Sequence, residues 1–196
     1  NNASDNISGG NLNIGSSDGT GTAAQMGVSK GTIGANTNIT LNSGSTLDVS
    51  GGTAYVDSND TWSGNINVSG GNLSVWNVVD KTGTLTQNSG TTYIYGNSNL
   101  NNTSDNISGG TLNIGDGSTG ANLNVTAGSI GNDANVNVQN NSNLNVSGGN
   151  VNLNNNDTCS GNVNVQSGTL NLQDVNKSAS GILTQTGGTT NITGAG

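Results

Sequence analysis

Short runs in which aliphatic and polar residues alternate recur along the whole chain. In Leu12-Asn13-Ile14 and Leu144-Asn145-Val146, two aliphatic side chains flank one asparagine. Successive side chains of a β-strand point to opposite faces, so the aliphatic pair shares one face and the asparagine takes the other. The pattern predicts many short strands, each with an apolar inner face and a polar outer face.

A glycine-containing turn signal separates these runs about every 18–21 residues. The ten occurrences are Ser8-Gly9-Gly10, Ser29-Lys30-Gly31, Ser50-Gly51-Gly52, Ser69-Gly70-Gly71, Asn88-Ser89-Gly90, Ser108-Gly109-Gly110, Ala127-Gly128, Ser147-Gly148-Gly149, Ser167-Gly168 and Thr186-Gly187-Gly188. A fixed period of strands and glycine turns is typical of a β-solenoid, in which each repeat stacks on its neighbours. We therefore expect an all-β chain of about ten stacked rungs.

The expected inward positions form one series before each glycine signal and one after it. The first series is Ile7, Met26/Val28, Leu47/Val49, Ile66/Val68, Leu85, Ile107, Leu123/Val125, Leu144/Val146, Val163/Val165 and Leu183. The second is Leu12/Ile14, Ile33, Ala54/Val56, Leu73/Val75, Tyr93/Tyr95, Leu112/Ile114, Ile130, Val151/Leu153, Leu170/Leu172 and Ile192. A third, less regular side is expected at Ile39/Leu41, Trp62, Val78/Val79, Leu100, Val136/Val138, Cys159 and Val175.

Two missing signals favour parallel coils over hairpins. The chain has no Asn-Gly dipeptide, which is the strongest short hairpin signal. It also has no proline, so every residue can donate to a strand ladder. An antiparallel meander is the structural alternative.

The two halves of the sequence resemble each other. Asn1-Asn2-Ala3-Ser4-Asp5-Asn6-Ile7 matches Asn101-Asn102-Thr103-Ser104-Asp105-Asn106-Ile107, and Leu85-Thr86-Gln87 matches Leu183-Thr184-Gln185. We therefore expect one domain over residues 1–196, with internal repeats of about five rungs each at 1–100 and 101–196. Two readings follow, a piece of a longer solenoid and a subunit whose ends meet end to end in a filament.

The Gly-Gly-x-Leu-x-Val pattern, as in Ser147-Gly148-Gly149-Asn150-Val151-Asn152-Leu153, resembles the rungs of bacterial autotransporter passenger domains and of filamentous-haemagglutinin-type adhesins. The resemblance covers the full chain and rests on the rung pattern. It implies a single right-handed parallel β-helix that a prokaryote exports to its surface or secretes. It carries no catalytic residue across to this chain.

Charge and composition narrow the classes of partner. The chain has three cations, Lys30, Lys81 and Lys177, against eleven acidic residues, for a net charge of −8. Nucleic-acid binding needs a cationic face, and so does attraction to an anionic membrane surface, so we expect neither. Cys159 is the single cysteine, which excludes an intrachain disulfide, and no apolar stretch is long enough for a transmembrane helix.

Enzyme chemistry and metal binding have little support. The chain has no histidine and no arginine, so triads that need a histidine base are excluded. Asp60 with Asp80, and Asp157 with Asp174, lie about one rung apart, but we expect solvated surface carboxylates there rather than a glycosidase pair. The Asp/Gly turns Ser16-Ser17-Asp18-Gly19 and Gly115-Asp116-Gly117-Ser118 lack a calcium-loop spacing and are expected to be plain turns. We expect no enzyme, no catalytic residue, no metal site and no cofactor.

Two surface features suggest a ligand. Trp62 with Tyr93 and Tyr95 is a candidate aromatic sugar platform, and the phase of Trp76 points outward. Outward asparagines are candidates for an ice-binding array, although they are expected to divide over several sides: Asn13, Asn67, Asn113, Asn124, Asn137, Asn145, Asn152, Asn164 and Asn171.

The sequence favours an extracellular, non-enzymatic structural protein, a stalk, fibre or surface-layer subunit that stacks end to end. The alternative is an adhesin that binds a glycan or a host protein through its irregular loops, and a minor alternative is an ice-binding protein. The expected partners are further copies of the solenoid and, in the adhesin reading, a glycan or host surface.

Overall fold

A computed structural model describes residues 5–16, 23–177 and 181–194, without the side chains of Asp5, Asn176 and Lys177. All regular structure in these residues is β-strand. In this part of the chain no helix is long and apolar enough to cross a membrane.

The first half of the chain contributes short strands of two to five residues, followed by one longer strand. In chain order they are β1 (Asp5–Ile7), β2 (Gly10–Ile14), β3 (Gln25–Val28), β4 (Gly31–Ile33), β5 (Thr37–Leu41), β6 (Thr46–Val49), β7 (Thr53–Asp57), β8 (Thr61–Trp62), β9 (Asn65–Val68), β10 (Asn72–Trp76), β11 (Thr84–Gln87) and β12 (Thr91–Leu100).

The second half repeats this pattern. Its strands are β13 (Asn106–Ile107), β14 (Gly110–Ile114), β15 (Ala121–Val125), β16 (Ser129–Ile130), β17 (Ala134–Val138), β18 (Asn143–Val146), β19 (Asn150–Leu153), β20 (Thr158–Cys159), β21 (Asn162–Val165), β22 (Thr169–Gln173), β23 (Asn176–Lys177), β24 (Leu183–Gln185) and β25 (Thr189–Thr193).

The strands pair in parallel between successive turns and build three faces, as a β-solenoid requires. Face 1 contains β1, β4, β7, β10, the first half of β12, β14, β17, β20 and β23. Face 2 contains β2, β5 and β8, then the second half of β12, β15, β18, β21 and β24. Face 3 contains β3, β6, β9, β11, β13, β16, β19, β22 and β25. Face 2 is interrupted at residues 77–83, where the described chain forms no strand.

The expected parallel solenoid is confirmed, but the expected ten rungs are wrong, because the chain makes about eight turns. Asp5 pairs with Gly31, twenty-six residues on, whereas Asn72 pairs with Thr91, nineteen residues on. The reason lies in the chain between Ser8 and Ser29 and between Ser108 and Ala127. In the described residues each of these intervals contains strands of two faces instead of three, so counting glycine signals overstates the turns.

The duplicated halves are related by a screw operation. In the sequence repeat, β14 is the counterpart of β2, yet β2 lies on face 2 and β14 on face 1. We count one segment for each face that the chain passes, and β14 lies fourteen segments after β2. Because three faces make one turn, one copy makes four and two-thirds turns rather than five. Equivalent residues of the two copies therefore lie on different faces of the rod.

The apolar core runs along the axis and contains most of the expected inward aliphatics. Leu47, Leu73 and Leu123 are fully buried. Tyr93 and Tyr95 were expected to point inward and do not, because β12 pairs with β10 so that Ile94 lies beside Val75 and Tyr95 beside Trp76. Thr92 and Ile94 are the buried residues in the first half of this strand.

Two further expectations of burial are wrong. Val79 belongs to the interrupted part of face 2 and is 39% exposed, whereas its neighbour Val78 is buried. Ile192 lies on the last strand of face 3 and is 66% exposed, since no described strand stacks beyond it.

Candidate functional site

Three turns contain a carboxylate that connects two successive coils. In residues 57–60, 102–105 and 154–157, the last residue is an aspartate that accepts the N–H of the first residue. Its other oxygen accepts a strand N–H of the preceding coil: Ile39 for Asp60, Leu85 for Asp105 and Val136 for Asp157, at 2.6 to 2.8 Å. We refer to these as the Asp turns.

The Asp turns correct the expectation that Asp60 and Asp157 are solvated. Asp157 is buried and Asp60 is half-buried. Burial raises the pKa of both carboxyl groups, and the backbone N–H donors partly oppose that rise. These carboxylates hold the backbone of neighbouring coils together, a structural role.

The other acidic candidates are exposed. Asp80 and Asp174 lie on the surface, as expected. Asp116 Oδ1 accepts the N–H groups of Ser118 and Thr119, which lower the pKa of its carboxyl group. Its segment is therefore a turn closed by the Asp116 side chain, while the matching Asp18 lies outside the described residues. Within the described ranges no three His, Cys, Asp or Glu side chains cluster as metal ligands.

The buried cation Lys81 is the feature that the sequence did not reveal. Its Nζ atom donates to both oxygens of Asp105 and to the carbonyl of Gly83, and lies 5.2 Å from the centre of the Trp62 ring. Burial lowers the pKa of Lys81, and the bonds to Asp105 oppose this. Trp62 is itself buried, so the expected sugar platform cannot include it.

A polar core residue, Gln87, marks the internal junction between the two sequence copies. Its side-chain amide donates to the carbonyls of Gly109 and Thr111 on the next turn, each at 3.0 Å. The side chain is fully buried. Around it, Thr86 pairs with Asn106 and Thr92 pairs with Leu112. These pairs define how the end of one copy meets the start of the next.

The C-terminal edge consists of β24 and β25. These strands are the counterparts of β11 and the first half of β12, which lie at the end of the first copy in that junction. Gln185, the counterpart of Gln87, donates to Gly188 and is exposed. Ile192, the counterpart of Ile94, is 66% exposed where Ile94 is 2% exposed. The core opens here into a cavity of about 230 Å³ lined by Leu153, Val163, Leu172, Ile182 and Leu183, among others. This edge presents the surface that the internal junction buries.

An aromatic cluster occupies the outer side of face 1. Its members are Tyr55 on β7, Trp76 on β10, and Tyr93 and Tyr95 on β12. The Trp76 and Tyr95 rings stack with their centres 4.3 Å apart, and the Tyr93 and Tyr95 rings lie 6.2 Å apart. The expectation of an outward Trp76 is confirmed, and the tyrosines of the expected platform join it in place of Trp62.

The cluster borders an open cleft of about 340 Å³ lined by Ala35, Tyr55, Asp57, Ser58, Trp76 and Asn77. Because Tyr95 stacks on Trp76 from the following turn, the cleft lies on the side of the indole that faces the preceding turn. Asp57 Oδ1 accepts the N–H of Asn59, and the side-chain oxygen of Asn77 accepts the N–H of Asn97. Both polar side chains are thus held in place beside the indole.

Two asparagine ladders run along face 2 from β12 to β21. One contains Asn97, Asn122, Asn143 and Asn162, and the other Asn99, Asn124, Asn145 and Asn164. Each side-chain amide after the first donates to the side-chain oxygen of the preceding member at 2.6 to 2.9 Å. The candidate ice-binding asparagines do divide over all three faces, yet Asn124, Asn145 and Asn164 share one ladder. The two ladders make a regular polar surface, and ice binding stays a prediction.

A scan against protein-family models, a search of curated proteins and a search of solved structures each gave no significant match. The fold and the surfaces of the chain itself therefore carry the functional argument.

Proposed function

We propose that this chain is a non-enzymatic structural element, a stiff rod that stacks end to end into a stalk or fibre. The single observation that carries the proposal is that the C-terminal edge repeats, at equivalent positions, the residues that the internal junction buries against the start of the next copy. This edge therefore fits the N-terminal edge of a further copy of the repeat.

The complementary surface is the N-terminal edge of a second molecule, formed by β1 and β2. In the register of the internal junction, Thr184 would pair with Asn6 and Thr190 with Leu12 of that molecule. The amide of Gln185 would then reach the carbonyls of Gly9 and Asn11, as Gln87 reaches Gly109 and Thr111. Stacking would also cover Ile192 and complete the strand ladder, which removes the cost of an open sheet edge.

The repeat sets the geometry of such a fibre. From β1 to β23 the chain makes eight turns, and β24, β25 and the junction to the next molecule add one and one-third. Each molecule therefore advances the fibre by nine and one-third turns, twice the four and two-thirds turns of one copy, which at about 4.8 Å per turn is a rise of about 45 Å. Each molecule would be rotated by one face relative to its neighbour. This geometry distinguishes specific stacking from irregular aggregation.

The test compares three proteins by analytical ultracentrifugation and negative-stain electron microscopy over a concentration series. The wild type should form rods that lengthen with concentration, with the expected rise. Ile192→Asp places a charge on the exposed edge and should leave single rods. The control Val79→Asp places the same charge on the exposed side wall and should assemble like the wild type.

Two outcomes contradict the proposal. One is a wild type that stays monomeric at every concentration. The other is an Ile192→Asp variant that assembles as the wild type does, which would show that the edge is not the interface.

The setting that suits this role is extracellular, as the resemblance to autotransporter passengers and haemagglutinin-type adhesins implies. Its support is the rung pattern together with a surface of Asn, Thr and Ser. An adhesin is the second candidate function, and the observation that favours it is the exposed aromatic cluster around Trp76.

A further inference from the structure

The aromatic side chains of this protein are few and concentrated. The chain has two Trp, three Tyr and no Phe. Four of these five lie together on face 1, on the three consecutive strands β7, β10 and β12, and Trp76 is 41% exposed. Exposed apolar groups collected at one place on a polar surface mark interaction sites.

We propose that the cleft beside Trp76 binds a neutral sugar unit of a glycan. This deepens the adhesin candidate and is independent of end-to-end stacking. The indole supplies a flat apolar surface for the C–H groups of a sugar ring, since aromatic side chains combine a large apolar area with defined geometry. Tyr55, Asp57 and Asn77 line the same cleft and supply hydrogen-bonding groups for sugar hydroxyls.

The local charge selects an uncharged ligand. Asp57 lines the cleft, and the pKa of Tyr95 is raised by burial and by the nearby Tyr93, Asp116 and Tyr55. None of these groups is a cation. A uronate, sialic acid or sulfated sugar would meet carboxylates without a compensating positive charge, whereas a neutral sugar uses them as hydrogen-bond acceptors.

The backbone around the cleft is held in a special conformation. Asn77 has a positive φ of 55°, an uncommon conformation for a residue other than glycine. Its side chain packs directly over Gly96, which has a φ of 66° and has no room for a Cβ atom. This stacked pair turns the chain immediately after Trp76 and fixes the polar side of the cleft.

The size of the surface favours a sugar over a protein partner. A stable protein interface buries about 800 Å² on each side. A cleft of about 340 Å³ beside one exposed indole instead lies at the lower end of the range for small-ligand sites.

The test is a glycan array probed with the wild-type chain, Trp76→Ala and the control Val79→Ala, which removes exposed apolar surface on another face. The array carries neutral, uronate, sialylated and sulfated glycans, together with glycoproteins before and after deglycosylation. The best neutral oligosaccharide is then titrated by tryptophan emission, which reports Trp76 because Trp62 is buried.

We expect neutral glycans alone to bind, with little dependence on salt. Trp76→Ala should weaken the binding by about tenfold or more, as for an aromatic anchor residue, and Val79→Ala should leave it unchanged. Absence of neutral-glycan binding overturns the proposal, as does equal binding by Trp76→Ala or a preference for anionic glycans. Binding that survives deglycosylation would indicate a protein partner and would also overturn it. None of these variants alters the C-terminal edge, so a negative result leaves the stacking proposal standing.

Discussion

The Nζ atom of Lys81 lies 2.7 Å from each carboxylate oxygen of Asp105, and both side chains are almost completely buried. The pair connects the interrupted part of face 2 to the start of the second sequence copy. A buried charge is costly unless it is paired and hydrogen-bonded, and here each ion supplies the partner that the other needs.

Replacing Lys81 with methionine should therefore strongly destabilise the protein. The change leaves the Asp105 carboxylate buried without its cation, and the free energy of unfolding should fall by about 3–5 kcal/mol. Urea unfolding followed by circular dichroism measures this. Lys30→Met removes an exposed cation and should change stability by less than about 0.5 kcal/mol.

The double variant Lys81→Met/Asp105→Asn tests the cause. If the unpaired charge is responsible, the double variant should be less destabilised than the sum of the two single variants. Strict additivity would contradict a direct interaction between the two side chains.

Stability should rise as the pH falls from neutral towards the ordinary aspartate pKa of 3.8. Burial places the folded-state pKa values of Asp60 and Asp157 above that value, so in this window the folded chain binds more protons than the unfolded chain. Partial loss of the net charge of −8 acts in the same direction. Thermal unfolding at a series of pH values measures the trend.

The variant Asp157→Asn should show a flatter pH profile than the wild type, since one of the raised carboxyl groups is gone. Asp133→Asn removes an exposed carboxylate and is the control for the loss of one negative charge. A wild-type stability that falls steadily between pH 7 and 4 would argue against carboxyl groups whose pKa is raised by folding.

The alternation of aliphatic and polar residues was sufficient to predict the core of most strands. Leu144 and Val146 illustrate why, because a period of two fixes which side chains share a face. The same rule failed at Tyr93 and Tyr95, where the alternating Thr92 and Ile94 are also compatible with the interior. The register with β10 settles the choice, and register is a property of two strands that a single run does not reveal.

The number of turns and the burial of charged side chains could not be predicted from the sequence, because both depend on how the coils are arranged in space. The glycine signals recur at nearly constant spacing along the sequence. In two intervals, however, the described residues between signals contain strands of two faces rather than three, so the count of signals does not equal the number of turns. Likewise, the alternation of apolar and polar residues does not distinguish Asp157 from a surface carboxylate. The recurrence of an Asp or Asn three residues before Asp60, Asp105 and Asp157 was the available signal, because Asp and Asn favour turns of this kind.

Gly71 should not tolerate a side chain. A Cβ atom there would lie 2.5 Å from the carbonyl oxygen of Gly52 and 2.8 Å from Val49 Cγ1 on the preceding turn. We expect Gly71→Ala to lower the free energy of unfolding by about 1–3 kcal/mol, the usual cost of overpacking.

Gly27 is the matched control, since a Cβ atom on this strand residue has no neighbour within 4 Å. Gly27→Ala should be neutral or slightly stabilising, by about 0.4–1 kcal/mol, because it restricts the unfolded chain. Equal losses for the two variants in urea unfolding would mean that the close contact between coils is not what requires glycine at Gly71.

The asparagine ladders on face 2 should stabilise the stack as connected rows rather than as separate bonds. Asn145 donates to Asn124 and accepts from Asn164, each at 2.8 Å. Asn145→Ala removes both bonds and should cost about 1–2 kcal/mol, whereas the exposed Asn135→Ala should cost less than about 0.5 kcal/mol. Since Asn124 loses its donor in the first variant, adding Asn124→Ala should cost less than it does alone, which a double-mutant cycle measures. If Asn124→Ala lowers the free energy of unfolding equally in the wild type and in Asn145→Ala, these amides contribute independently. The cooperativity of the rod would then come from the strand backbones and the apolar core alone.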